Sequence, residues 1–259
     1  MESKVDRIGE KNINNFGSEM IITEYRKYSD VDIYFPEYNW TFKNRKYGDF
    51  KNGNVRCPYE PRVYNKGYLG EGKHKVSENR KITKVYDTWN KMLQRCYDPK
   101  FHEKEPTYKY CEVCNEWLNF QEYGQWFDDN YYEIKGERTE LDKDILVKHN
   151  KIYNSDTCVF VPKTINSLFT KNNKTRGNSP IGTSLRKNGK YVSQCQIFNP
   201  KTGKSKYECL GVYDTQEKAF EIYKYHKEKN IKEVADYYFG RIPTELYDAL
   251  YRYEVEITD

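Results

Sequence analysis

No apolar run in this chain is long enough to build a large core by itself. Aliphatic and aromatic residues arrive a few at a time, between clusters of turn-forming and charged residues. Such a chain closes several small cores rather than one large one, and 259 residues suit two or three modules. Hydrophobic residues make up 37% of the total and charged residues 32%, so core material is used sparingly. Much of it is aromatic, with 26 Tyr against 12 Phe and 4 Trp. Codon bias toward Tyr, Asn, Lys and Ile accounts for most of that excess. The rest suits small, wet domains and surfaces on which bases stack.

The net charge of +5 permits a nucleic-acid partner without requiring one. Its distribution is more informative. From Lys163 to Lys206 there is no Asp or Glu, while Lys163, Lys171, Lys174, Arg176, Arg186, Lys187, Lys190, Lys201, Lys204 and Lys206 all fall inside the stretch. A solvated basic face explains a short run of this kind. A long acid-free stretch in a chain otherwise rich in acids points to phosphate contact. The opening residues are charged and no segment has membrane-spanning hydropathy, so neither a signal peptide nor a membrane partner is expected. The seven Cys are odd in number and scattered, which argues against a secreted disulfide framework and for a reducing, cytoplasmic setting.

Patterning divides the chain into an expected α+β array of three small modules. Residues 1–70 read as an all-β small barrel or curled sheet, with strands near Met20–Tyr25, Val31–Phe35, Asn39–Phe42 and Asn54–Pro58. The Gly-rich stretch Gly67–His74 reads as a linker. Residues 77–175 open with a helix capped by Thr83, carrying Val85, Trp89, Met92 and Cys96 at helical spacing. A second helix starts near Asn119, with Glu122 as capping-box partner. A strand at Leu141–Ile145, a polar loop, a strand at Cys158–Val161 and a helix opening at Pro162 complete the module. Residues 176–259 read as a three-stranded sheet, a helix capped by Asp214, and a C-terminal tail.

The central text resembles the HNH, or His-Me finger, endonucleases of phage and homing type. The matching pieces are Trp89–Tyr97, Val113–Trp117 with Phe120, Leu141–Ile145, Asn150–Pro162, and Ile165 with Asn166. The resemblance implies a ββα finger holding one divalent ion, Mg²⁺, against a scissile phosphate while a base activates water. It puts Asp142 and Asn166 at the metal-ligand positions and Asn154 at the residue that braces the two strands. The general-base position falls on Lys143, or on Asp144, and neither is His. A retained nuclease and a degenerate descendant therefore both stay open. Cys111 and Cys114 have the spacing of half a zinc site, but no second pair follows, so buried free thiols are expected rather than zinc.

The last module resembles the DNA-binding domain of ethylene-response (APETALA-type) factors, on Pro180–Gln194 and Leu210–Phe220. That resemblance implies a sheet laid on double-stranded DNA. Arg186, Lys187, Lys190, Tyr191, Gln194 and Gln196 stand at the contacting positions, and Lys171, Lys174 and Arg176 on the approach. Arg can reach guanine and Gln adenine. On Tyr25–Phe35 and Tyr47–Pro58 the first module resembles a segment found ahead of such fingers, which leaves nucleic-acid contact, with Lys43, Arg45, Lys46 and Lys51, and a plain oligomerisation role equally open. The overall expectation is a DNA-binding protein of phage or mobile-element type. A non-catalytic regulator or anti-defence protein, and a protein–protein adaptor, are the other readings the residues leave open.

Overall fold

The computed structural model describes residues 6–170 and 179–257. Over these the protein is α+β, and it divides into two units, residues 1–129 and 130–259.

The first unit begins with an antiparallel meander of β1 (Lys11–Ile13), β2 (Glu19–Lys27), β3 (Asp30–Phe35) and β4 (Trp40–Arg45). Met20 and Ile22 on β2, and Val31, Ile33 and Phe35 on β3, are fully buried, the period-two signature of a sheet with one dry face. The ladder runs in linear order from β1 to β4, so the sheet is open and not the expected barrel. A short helix, α1 (Tyr47–Lys51), adds Tyr47 and Phe50 to its core. The strand expected at residues 54–58 is irregular backbone that nevertheless buries Val55 and Cys57. Buried Glu60 holds this segment to the turn between β1 and β2, accepting from Ser18 Oγ at 2.6 Å and from Asn14 Nδ2 at 3.3 Å.

Four helices follow: α2 (Lys84–Tyr97), α3 (Pro99–Lys104), α4 (Asn115–Leu118) and α5 (Phe120–Asn130). Thr83 caps α2 as its sequence requires, its side chain accepting from Tyr86 N at 3.3 Å. Trp89, Met92, Leu93 and Cys96 form the buried stripe of α2. Trp89 packs on Phe120 at 5.2 Å between ring centroids and donates its indole N–H to the Trp117 carbonyl at 2.7 Å.

The Gly67–His74 stretch is not a linker. Tyr68 N donates to Leu118 O and Phe120 N to Tyr68 O, both at 2.9 Å. The Gln121 amide donates to the carbonyls of Leu69 and His74, each at 3.1 Å, and its oxygen accepts from His74 N at 2.9 Å. Gly67 sits so close to α2 that a Cβ there would lie 2.4 Å from Leu93 Cδ1 and 2.8 Å from the Trp89 ring. The first unit therefore carries the expected first module and the α2–α5 half of the expected second one in a single body.

In the second unit, β5 (Thr139–Asp142) pairs antiparallel with β6 (Val159–Pro162), and α6 (Lys163–Phe169) follows directly. The strand ends at Asp142, so Lys143, Asp144 and Ile145 lie in the bend after it rather than on it. A second sheet of β7 (Thr183–Leu185), β8 (Tyr191–Asn199) and β9 (Lys204–Tyr213) packs on the long helix α7 (Gln216–Tyr238). Thr215, not Asp214, caps α7, accepting from Lys218 N at 3.2 Å, while Asp214 pairs with Lys190 at 2.8 Å. Where only a tail was expected, Thr244–Arg252 forms a further helix, α8, burying Leu246 and Leu250. One core joins the two parts: Val159, Val161, Ile165 and Leu168 pack with Phe198, Ile231, Val234, Ala235, Tyr238, Leu246 and Leu250. The boundary expected near residue 175 does not separate two cores.

A Cβ at residue 67 must displace two core side chains. Gly67→Ala should destabilise the first unit by about 1–3 kcal/mol, the usual range for overpacking, read as a lowered denaturant midpoint. An unchanged midpoint would mean the segment is loosely held after all.

Candidate functional site

Along β5 burial alternates, with Thr139 and Leu141 inside and Glu140 and Asp142 half-buried on the other face. Asp142 closes the strand. Its Oδ1 accepts from the backbone N–H of Asp144 at 2.9 Å and of Ile145 at 2.8 Å. Burial, and then the neighbouring Asp144 carboxylate, push its carboxyl up to about 6, against the opposing pull of those two backbone bonds and of Lys143. Lys143 is 6% exposed, and its Nζ lies 2.9 Å from Asp144 Oδ2 and 6.0 Å from the Tyr153 ring centroid. In that geometry the amine is a hydrogen-bond donor, and the position aligned with a general base holds half of an ion pair.

Asn154 does not brace the two strands. Its Oδ1 accepts from Asp156 N at 3.0 Å and from Thr157 N and Thr157 Oγ1 at 2.9 Å, which shapes the turn ahead of β6. The bracing belongs to Asn150, whose Nδ2 lies 2.7 Å from the Lys143 carbonyl, 2.7 Å from the Ile152 carbonyl and 3.0 Å from Thr157 Oγ1. Asn166, on α6, donates its amide to Glu140 Oε2 at 2.7 Å, and Arg138 Nε lies 3.4 Å from Glu140 Oε1. Glu140 was not foreseen, although its place two residues before Asp142 on one strand face would have found it.

These donors make no preformed cradle for Mg²⁺. Asp142 spends one oxygen on backbone amides, the Asn166 amide is turned to Glu140, and Asp144 is neutralised by Lys143. Among the described residues no group of three or more His, Cys, Asp or Glu is placed to hold a metal. Cys111 is buried, and burial pushes the Cys114 thiol up to about 11.

The second sheet presents a different surface. Arg186, Lys187 and Lys190 are exposed around the β7–β8 turn, which closes through Arg186 N to Lys190 O at 2.8 Å and turns at Gly189 with φ +81°. Tyr191 is half-buried opposite Leu185 and Tyr213. Past Gly182, whose carbonyl accepts from Gln194 N at 2.9 Å, β8 and β9 continue paired to each other, and Asn230 of α7 lies at the β8 edge, donating to Gln196 O at 3.3 Å. There Gln194 pairs across from Cys209 and Gln196 from Tyr207. Gln194 and Cys209 are exposed, Gln196 is half-buried, and Tyr207 is 75% exposed. Cys195, between the two glutamines, is buried against Tyr223 of α7, and Glu208 pairs across from it. Gln194, Gln196, Tyr207 and Cys209 share one side of the ribbon by register; Phe198, the next β8 residue of that parity, turns into the core with α7, and Glu208 is exposed and pairs with Lys206 at 3.3 Å. Tyr207 was missed because the glutamine pattern on β8 draws attention from its cross-strand partner. Lys171, Lys174 and Arg176 lie outside the described residues. No described helix is long and apolar enough to cross a membrane.

The raised carboxyl of Asp142 has a thermodynamic consequence. Its folded form holds a proton that the unfolded form has released between pH ~3.9 and about 6. Its contribution to stability is therefore complete below the lower bound and lost as pH rises through the upper one. Asp142→Asn keeps an oxygen for the two backbone N–H groups without the buried charge. Its melting temperature should exceed wild type at pH 7–8 and converge on it near pH 4. A variant less stable across that whole range would show that the carboxylate itself holds the turn.

No family model, curated protein or solved structure matches this chain.

Proposed function

We propose that the chain is a double-stranded DNA-binding protein of the kind carried by phages and mobile elements, and that it reads DNA with the outer face of β7–β9. In this reading the β5–β6–α6 element is a finger-type scaffold that no longer hydrolyses phosphodiesters. The observation that carries the proposal is the chemistry of one face. Gln194, Gln196 and Tyr207 offer polar ends with no hydrogen-bond partner among the described residues, at the end of a stretch from Lys163 to Lys206 without a carboxylate. Exposed Arg186, Lys187, Lys201 and Lys204 flank them at the two hairpin turns. Cations at the ends reach phosphates, and neutral polar groups between them reach base edges.

The scaffold reading rests on Lys143. A buried amine paired to Asp144 at 2.9 Å is a donor where water activation needs an acceptor. With Asp142 turned to backbone amides and Asn166 to Glu140, every group aligned with the catalytic set has a structural task.

Binding should weaken steeply with salt, because each neutralised phosphate releases counterions. Lys187→Ala should lower affinity alike for all duplexes and flatten the salt slope by about one unit. Arg186→Ala should cost about 1–3 kcal/mol on a preferred site and little on a random one. Filter-binding titrations across salt test both, and absence of salt-sensitive binding to any duplex would end the DNA reading. A plasmid-nicking assay with Mg²⁺ and Mn²⁺ runs beside them. Cleavage that disappears in Asn166→Ala would restore the nuclease reading.

A further inference from the structure

The ribbon beyond β7 has dimensions that constrain what it reads. Gln194 and Gln196 are two residues apart on one strand with no register shift between them, the β8–β9 irregularity lying at Ser193/Gln194. Alternate residues on a strand stand about 6.6 Å apart. Bases on one strand of B-DNA step by about 3.4 Å. A two-stranded ribbon fits the major groove, whose width is about 12 Å. Two side chains in this register along the groove therefore meet bases two steps apart, skipping the one between. Across the ribbon, the partners of Gln194 and Gln196 are Cys209 and Tyr207. Directly opposed side chains are about 5 Å apart, so each cross-strand pair can address the two halves of one base pair.

The side chains select the bases. A glutamine amide donates to one ring atom and accepts from another, which matches the N7 and N6 edge of adenine. Tyr207, 75% exposed and without a ring partner among the described residues, offers an apolar surface that suits the thymine methyl. Glu208, the carboxylate of β9, stands opposite buried Cys195 and is taken up by Lys206 at 3.3 Å.

Resting on the DNA-binding reading above, we infer that the ribbon selects duplexes with two A·T pairs separated by one base pair. Both adenines lie on one strand, the first met by Gln194 and the second by Gln196, with Tyr207 on the thymine methyl opposite the second. The Gln196 position is the stricter of the two, because Cys209 is too short to do for the first pair what Tyr207 does for the second.

The full chain is used to select bound duplexes from a random-sequence pool, and the enriched site is then varied one pair at a time. Wild type should enrich adenine at two positions with one pair between them. Replacing either A·T pair by G·C should weaken binding roughly 5- to 150-fold. Gln194→Ala should release the requirement at one position only, and Gln196→Ala at the other only. Deoxyuridine in place of the thymine opposite the Gln196 adenine should weaken wild-type binding and leave Tyr207→Ala indifferent. Each variant should keep its low-salt affinity for an unrelated duplex, since phosphate contacts are untouched. A site enriched without the spaced adenines, or glutamine variants that keep both requirements, overturns this inference while leaving DNA binding in place. Failure of every duplex to bind in a salt-sensitive way overturns both.

Discussion

The second unit depends on one helix. Near its start, α7 buries Ala219 and Tyr223, with Tyr223 packing beneath the sheet beside Cys195. Toward its far end it buries Ile231, Val234, Ala235 and Tyr238 together with Val159, Val161, Ile165 and Leu168 of the β5–β6–α6 element. A helix of 23 residues spans about 35 Å, enough to serve both groups. Side chains of this kind stabilise by roughly 1.5–3 kcal/mol each when fully buried, so the joint core is a major source of the unit's stability. Polar ties reinforce it. Asn230, 1% exposed, accepts from Phe198 N at 2.7 Å, and Tyr238 Oη donates to Glu137, which also takes the Thr164 hydroxyl at 3.2 Å. The β7–β9 sheet and the β5–β6–α6 element are therefore joined through one core.

Local chemistry made much of this legible in advance. Thr83 ahead of a 3.6-residue stripe gave α2, and alternation gave β3, because both signals are read off neighbours in sequence. What stayed hidden was the identity of burial partners. Phe198 looks like an ordinary strand residue, and nothing nearby says that it packs with Ile165 across a polar stretch. Glycine misled for a related reason. Lack of a Cβ serves a loose linker and a tight contact alike, and Gly67 uses it for contact with Trp89 and Leu93. Asp214 and Thr215 are adjacent capping residues, and only the side-chain bond to Lys218 N decides between them.

The candidate site shows the same division. The resemblance implies that Asp142 and Asn166 share a neighbourhood, and the Asn166 amide meets the strand that ends at Asp142, at Glu140. Which atoms they face could not be read from the sequence. Asn150 and Asn154 are four residues apart and chemically identical, yet one ties the turn after β5 to the segment before β6 while the other shapes only its own loop. Glu140 takes the Asn166 amide because strand periodicity puts it on the face that α6 covers, a contact that needs the helix in place before it exists.

The charges around β5 are balanced by groups of the chain itself. Glu140, Asp142 and Asp144 would repel one another if all were bare and unpaired. Here each carboxylate has its own answer. Glu140 is met by the Asn166 amide and Arg138, Asp144 by the Lys143 amine, and Asp142 by two backbone N–H groups and a raised affinity for its proton. Lys143 supplies from within the chain the positive charge that meets Asp144 in the turn after β5. The charge balance of this turn and the proposal that the element does not hydrolyse DNA therefore rest on the same side chain, because an amine engaged as a donor to Asp144 is not an acceptor for a water proton.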